Sequence, residues 1–195
     1  MDLLKVLLVI LGAGGVFFLV SFVMDVVKHK NDLGKENPIL GFFIGLVTDF
    51  FDTLGIGSFA PTTLLFKVTK FLDTDKKIPG TLNVAHTVPV LMEAFLFLTG
   101  VKVEGITLFS MIAAAIIGAL IGARIVNKLP EKKIQLVMGV CLIVTAFLMA
   151  SGQLGWLKAL GSGNEAVGLT GIKLIIGIVG NFILGALMMA GVGLY

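Results

Sequence analysis

The chain has 195 residues, of which 57% are hydrophobic and 14% charged, and its mean hydropathy of +1.05 is far above that of a soluble globular domain. Its formal net charge of +3 comes mostly from lysines between apolar segments, so it reports membrane topology and argues against a nucleic-acid partner. A single cysteine, Cys141, excludes an internal disulfide and reads as packing inside an apolar segment.

Six apolar segments follow in order: 3–27, 38–66, 78–99, 106–126, 134–151 and 170 to the end. A spanning helix needs about 20 mainly apolar residues, so the pattern predicts an all-α polytopic membrane protein. The first segment is longer than the core of a secretory signal, roughly 7–15 residues. It runs into Lys28-His29-Lys30 without a small-residue cleavage site, and is read as a helix with a basic loop.

The second segment carries Gly55-Ile56-Gly57 at its centre, and glycine disfavours a helix interior by about 1 kcal/mol relative to alanine. Two half-helices are expected, forming either one discontinuous span or a re-entrant hairpin. The last segment carries Gly191-Val192-Gly193. The residues leading into the two breaks superpose, Gly41-Phe42-Phe43-Ile44-Gly45-Leu46-Val47 on Gly177-Ile178-Val179-Gly180-Asn181-Phe182-Ile183, which reads as an internal duplication.

Loop charge separates the two forms of the first break. A hairpin puts the loops holding Lys28, Lys30 and Lys35, then Lys67, Lys70, Lys76 and Lys77, then Arg124, Lys128, Lys132 and Lys133 on one side of the membrane. Only Lys5, Lys102, Lys158 and Lys173 remain opposite. The positive-inside rule favours this arrangement and makes loops 67–78 and 124–133 cytoplasmic. Three spans then separate the two breaks, so the second copy enters from the opposite face. The expected fold is a helical bundle built from inverted repeats with glycine-broken helices.

The divisions are a first helix and basic loop over 1–37, a first repeat over 38–151, a glycine-rich linker over 152–169, and the start of a second repeat over 170–195. Because the chain stops two residues after Gly193, the second repeat is expected to be incomplete. Trp156 in the linker is read either as an interfacial anchor or as loop packing, and Arg124, the only arginine, as a side chain snorkelling to headgroups.

These residues resemble the TauE/SafE sulfite exporter family of membrane permeases. The resemblance starts at the glycine break of 41–61 with its run into Pro61 and continues at Gly80-Thr81-Leu82. It is most distinctive at Gly118-Ala119-Leu120-Ile121-Gly122-Ala123-Arg124 leading into Leu129-Pro130-Glu131. It implies a two-repeat permease of the cytoplasmic membrane that carries sulfite, sulfonates or related small organosulfur anions. The chain departs from the family pattern in its shorter glycine run and in Asp49 and Asp52.

The candidate substrate-binding residues are Gly55, Ile56, Gly57, Ser58, Thr62, Asn83, His86, Thr87, Gly191 and Gly193. Amides at a half-helix N-terminus bind an anionic oxygen without a side-chain charge, and Ser58 and Thr62 are expected to cap the helix that follows the break. Glycines that only allow close helix packing are the competing explanation. The candidate ion-coupling residues are Asp49, Asp52, His86 and Glu93, since a carboxylate at membrane depth costs about 3 kcal/mol or more and calls for a cavity, a proton or a cation. His86, Asn83, Thr87 and Val90 form one stripe of a helix that Pro89 is expected to kink. Gly118 and Gly122 read as helix packing.

No metal-ligand cluster, nucleotide loop or nucleophile triad appears, so neither a metal nor a cofactor is expected. An intramembrane aspartyl enzyme would need a second aspartate on another helix, and Asp49 and Asp52 share one. The reading is therefore a secondary transporter, proton-coupled with alternating access, and not an enzyme. A cation or proton-coupled transporter or channel of the same fold, using Asp49, Asp52 and Glu93, is the alternative to this leading reading. Its partners are a small sulfur anion, membrane lipid and, in a homo-oligomer, further copies of the chain.

Overall fold

The structure is a computed structural model describing residues 3–31, 34, 36–55, 57–156, 167–191 and 193. Ile56, Val192, Lys35 and most of the 152–169 linker lie outside the described residues, Lys158 among them. The described elements are all helical: α1 (Leu3–Lys28), α2 (Pro38–Thr53), α3 (Phe59–Thr69), a 3-10 turn (Asp75–Lys77), α4 (Ile78–Ala85), α5 (Thr87–Gly100), α6 (Gly105–Val126), α7 (Glu131–Gln153) and α8 (Ile172–Met188). Among the described residues three stretches are long and apolar enough to cross a membrane: Leu4–Lys28, Asp75–Gly100 and Gly105–Val126.

Local chemistry sets these boundaries. Asn37 Oδ1 accepts from the amides of Ile39 at 3.0 Å and Leu40 at 3.3 Å, and Pro38 fills the first helical position, where no amide partner is needed. Helix α2 stops before Gly55, whose φ is +78°. Pro89 offers no amide to the Ala85 carbonyl and its ring crowds that oxygen, so the third apolar segment bends at His86 between α4 and α5. Glu104 opens α6 by accepting from the amides of Ile106 at 3.1 Å and Thr107 at 2.7 Å.

The broken segment folds back on itself. A side chain at Gly41, near the start of α2, would lie 3.0 Å from Phe71, just beyond the end of α3, and Leu40 packs on the same cluster as Phe66. Helix α3 ends in a Schellman pattern: the Phe71 amide donates to Phe66 O at 2.9 Å, the Lys70 amide to Lys67 O at 3.3 Å, and the two phenylalanine rings stack at 4.8 Å. Lys70 holds the left-handed position, φ +51°, normally filled by glycine. Lys70→Gly is therefore expected to stabilise the chain by about 1 kcal/mol, read as a higher unfolding midpoint in detergent.

Contacts also order the other helices. Gly12 faces Phe95 and Gly15 faces Leu91, so α1 runs antiparallel to α5. The bend after Gly100 reverses the chain into α6. Helices α6 and α8 run parallel and almost touch: a side chain at Gly118 would strike the Phe182 carbonyl, one at Gly122 the Ala186 carbonyl, and one at Gly185 the Ala115 carbonyl. Small residues give two membrane helices this approach.

The start of α7 is tied to the loop after α3. Glu131 Oε1 accepts from Thr74 Oγ1 and the Asp75 amide, both at 2.9 Å, while Asp75 Oδ2 accepts from Lys67 Nζ at 2.6 Å and Gln135 Nε2 at 2.9 Å. Removing the Glu131 acceptor with Glu131→Ala is expected to cost about 1–2 kcal/mol, measured by detergent unfolding at neutral pH.

These links place Lys28 and Lys30, the 67–77 loop and the 124–133 loop at one end of the bundle, while Lys5, Lys102 and Lys173 lie at the other. Within the described helices between the two ends, the charged side chains are Asp49, Asp52 and Glu93, with His86 beside them.

Candidate functional site

The hairpin, the α4–α5 bend and the end of α8 meet around His86. Helical rise of about 1.5 Å per residue puts Thr62 about 10 Å, His86 about 12 Å and Asp49 about 16 Å from the basic end, near the middle of a hydrocarbon layer about 30 Å thick. Lying next to the bend, His86 points between α2 and α3 and is only 2% exposed. Its Nδ1 lies 2.6 Å from Asp49 Oδ1 and its Nε2 lies 3.0 Å from Thr62 Oγ1. Thr62 Oγ1 in turn donates to Ser58 O at 2.7 Å. The Asp49 side chain keeps 28% exposure, so the buried imidazole has a carboxylate that reaches a more accessible zone.

Farther from the basic end, Glu93 lies within electrostatic range of Asp52, Asp49 and His86. Asp52 Oδ2 is buried and finds no hydrogen-bond partner among the described residues. The four expected coupling residues therefore gather in one place. They form a graded series from Glu93 and Asp52 through Asp49 to His86. Among the described residues no group of three or more His, Cys, Asp or Glu side chains is arranged to hold a metal ion.

At the first break, Gly55 has φ +78° and Gly57 φ +83°, and a side chain added at either would meet nothing within 4 Å. Close packing does not explain them; the backbone conformation does. Gly57→Ala should cost about 1–2 kcal/mol through left-handed strain alone, seen as a lower unfolding midpoint. Ser58, the residue before α3, is buried, and its hydroxyl makes no cap bond and has no partner among the described residues. Thr62 bonds to Ser58 O and His86, not to a first-turn amide. The capping expected of these two residues is thus absent: Ser58 has already turned into helical φ/ψ, and Thr62 lies a full turn inside α3.

The end of α8 repeats the end of α2 bond for bond. Gly55 N donates to Asp52 O at 2.8 Å and Leu54 N to Phe51 O at 3.2 Å; Gly191 N donates to Met188 O at 3.0 Å and Ala190 N to Leu187 O at 2.8 Å, with φ +86° at Gly191. The two breaks also approach one another. A side chain at Gly193 would lie 3.2 Å from the Phe59 ring, and that ring stands 5.6 Å from the imidazole of His86.

Asn83 and Thr87 are committed elsewhere. The Asn83 amide donates to Pro79 O at 2.8 Å and to Met188 O at 3.2 Å, which ties the end of α8 to α4. The Thr87 hydroxyl donates to Asn83 O one turn earlier. Ile56 lies outside the described residues. Sequence reading missed Phe59 as the side chain between the two breaks, and missed that Asp49 and His86, 37 positions apart, are partners. Only the shared rarity of their charge in an apolar background hinted at the pairing.

No curated protein and no solved structure matches the chain. The family model described as Sulfite exporter TauE/SafE matches residues 2–149, a span that holds the hairpin, the α4–α5 bend and the whole Asp49–His86–Thr62 chain. A transport family, bundled apolar helices and a polar centre at membrane depth agree: the protein belongs to the TauE/SafE sulfite exporter family.

Proposed function

We propose that the protein is a secondary transporter of sulfite, sulfonate or a related small organosulfur anion, coupled to protons through the Asp49–His86 pair. The observation that carries the coupling is a buried imidazole bonded on both ring nitrogens, 2.6 Å from a partly accessible carboxylate, in an interior without lysine or arginine among the described helices. An interior with three carboxylates repels an anion unless protons neutralise it. Anion entry and proton uptake are then linked by electrostatics. The amides at the start of α3, the Ser58 hydroxyl and the two glycine breaks supply the anion's contacts, and the side chains of Asp49, Asp52, His86 and Glu93 carry its protons.

Alternating access follows if the breaks belong to inverted repeats. The matching ends of α2 and α8 support that reading, as does the approach of Gly193 to Phe59. The positive-inside rule makes the end with the 67–78 and 124–133 loops cytoplasmic. The same three carboxylates favour one other reading, a proton-coupled cation transporter. Flux of radiolabelled sulfite into proteoliposomes, challenged by taurine or by a divalent cation, separates the two. Inhibition by taurine and loss of flux in Gly57→Leu support the anion; inhibition by the cation alone supports the alternative.

A further inference from the structure

The Thr62 hydroxyl makes more than a static bond. The hydroxyl has one hydrogen to donate and two acceptors within reach, Ser58 O at 2.7 Å and His86 Nε2 at 3.0 Å. With Asp49 ionised, its acceptor-only Oδ1 at 2.6 Å holds the proton of the neutral ring on Nδ1, which leaves Nε2 as an acceptor. A neutral His86 therefore accepts a hydrogen bond from the Thr62 hydroxyl, which then points away from Ser58 O. When the ring is charged, Nε2 becomes a donor, Thr62 Oγ1 must accept, and its own hydrogen turns to Ser58 O. We infer that Thr62 is a two-position hydroxyl switch that carries the protonation state of His86 to the Ser58 carbonyl, in the first turn of α3 beside the Gly57 break.

The place makes the switch consequential. Ser58 O already accepts the Thr62 amide at 3.0 Å, so the second bond, from the hydroxyl, comes and goes without breaking the helix. Ser58 adjoins Gly57 on one side and Phe59 on the other, and Phe59 stands between the two breaks. A proton on His86 thus tightens the turn that holds both the glycine break and the aromatic ring against Gly193. The titratable groups facing His86 are Asp49 and Asp52 from α2 and Glu93 from α5; α3, α4 and α8 contribute none among the described residues. Thr62 acts through His86 and is a positioning residue. The inference deepens the proton-coupled reading, but rests only on the geometry of Thr62, Ser58 and His86.

Magnetic resonance on the full chain in lipid bilayers tests it without any substrate. Labelling with 13C-carbonyl serine and 15N-phenylalanine marks the Ser-Phe pairs, Ser21-Phe22 in α1 and Ser58-Phe59 at the start of α3, and 15N-histidine reports His29 and His86. In the parent protein and in Thr62→Ser, the Ser58 carbonyl signal is expected to shift over the same pH range as His86, with Ser21 unmoved. In Thr62→Val it should stay fixed while His86 still titrates. A Ser58 signal that ignores His86 in the parent protein, or follows it in Thr62→Val, overturns the switch. If Thr62→Val does not fold, the parent and Thr62→Ser spectra still decide, because tracking must appear in both. Sulfite flux plays no part, so failure of the switch and failure of the substrate assignment are separate results.

Discussion

Asp49→Asn is expected to lower proton-linked flux by about 100-fold while leaving the protein folded. The asparagine carbonyl still accepts from His86 Nδ1, so the bond now 2.6 Å long survives in neutral form and the stability loss stays near 1 kcal/mol. What disappears is a titratable oxygen between the accessible zone and a ring that is 2% exposed. His86→Gln should produce the same functional loss by removing the group that receives the proton. Flux measured from pH 5 to 8 in proteoliposomes checks both. Retention of a pH-dependent profile in either variant would remove the pair from the coupling path, whereas a flat residual profile is the expected result.

The second large effect is structural. Gly118→Leu or Gly122→Leu places a side chain against a backbone carbonyl of α8, at Phe182 or Ala186, and neither carbonyl is the end of a flexible chain that can swing aside. Overpacking of this kind costs about 1–3 kcal/mol even where side chains can adjust. With backbone on the other side the helices must separate, and loss above about 3 kcal/mol or failure to accumulate folded protein is expected. Gly139→Ala is the matched control: nothing lies within 4 Å of its added carbon, and alanine raises helix propensity by up to about 1 kcal/mol. Unfolding in mixed detergent should rank the variants in that order.

Much of this architecture was legible from residue chemistry. Apolar segment length and loop charge anticipated the helices, the break at Gly55 and Gly57, and the bend set by Pro89, because each follows from a local rule about helix propensity or a missing amide. The folded-back form of α2 and α3 was visible through lysine distribution. The stacking of Phe66 on Phe71 and the contact of Gly41 with Phe71 supply its physical reason. The resemblance to the family is most distinctive at Gly118-Ala119-Leu120-Ile121-Gly122-Ala123-Arg124, and the same glycines hold α6 against α8.

The site was legible only as a set of residue types. Asp49, Asp52, His86 and Glu93 stood out because charge is rare inside apolar segments, yet nothing in their spacing pairs Asp49 with His86, since that contact depends on how the hairpin leans on the bend. Position alone makes Ser58 and Thr62 resemble caps, because both follow a break. Thr62 instead lies one turn in, where its hydrogen is shared between a carbonyl and an imidazole. Asn83 and Thr87 share a stripe with His86, but their bonds go to Pro79, Met188 and Asn83 itself, which secures α8 and the bend.

The most direct test of the central claim is simultaneous recording of sulfite flux and internal pH in proteoliposomes holding the full chain, beside His86→Gln. Coupled transport predicts that a sulfite gradient moves protons and that an imposed pH gradient moves sulfite, with both responses lost in the variant. Sulfite movement that leaves internal pH unchanged, or a proton response that persists without His86, would contradict it.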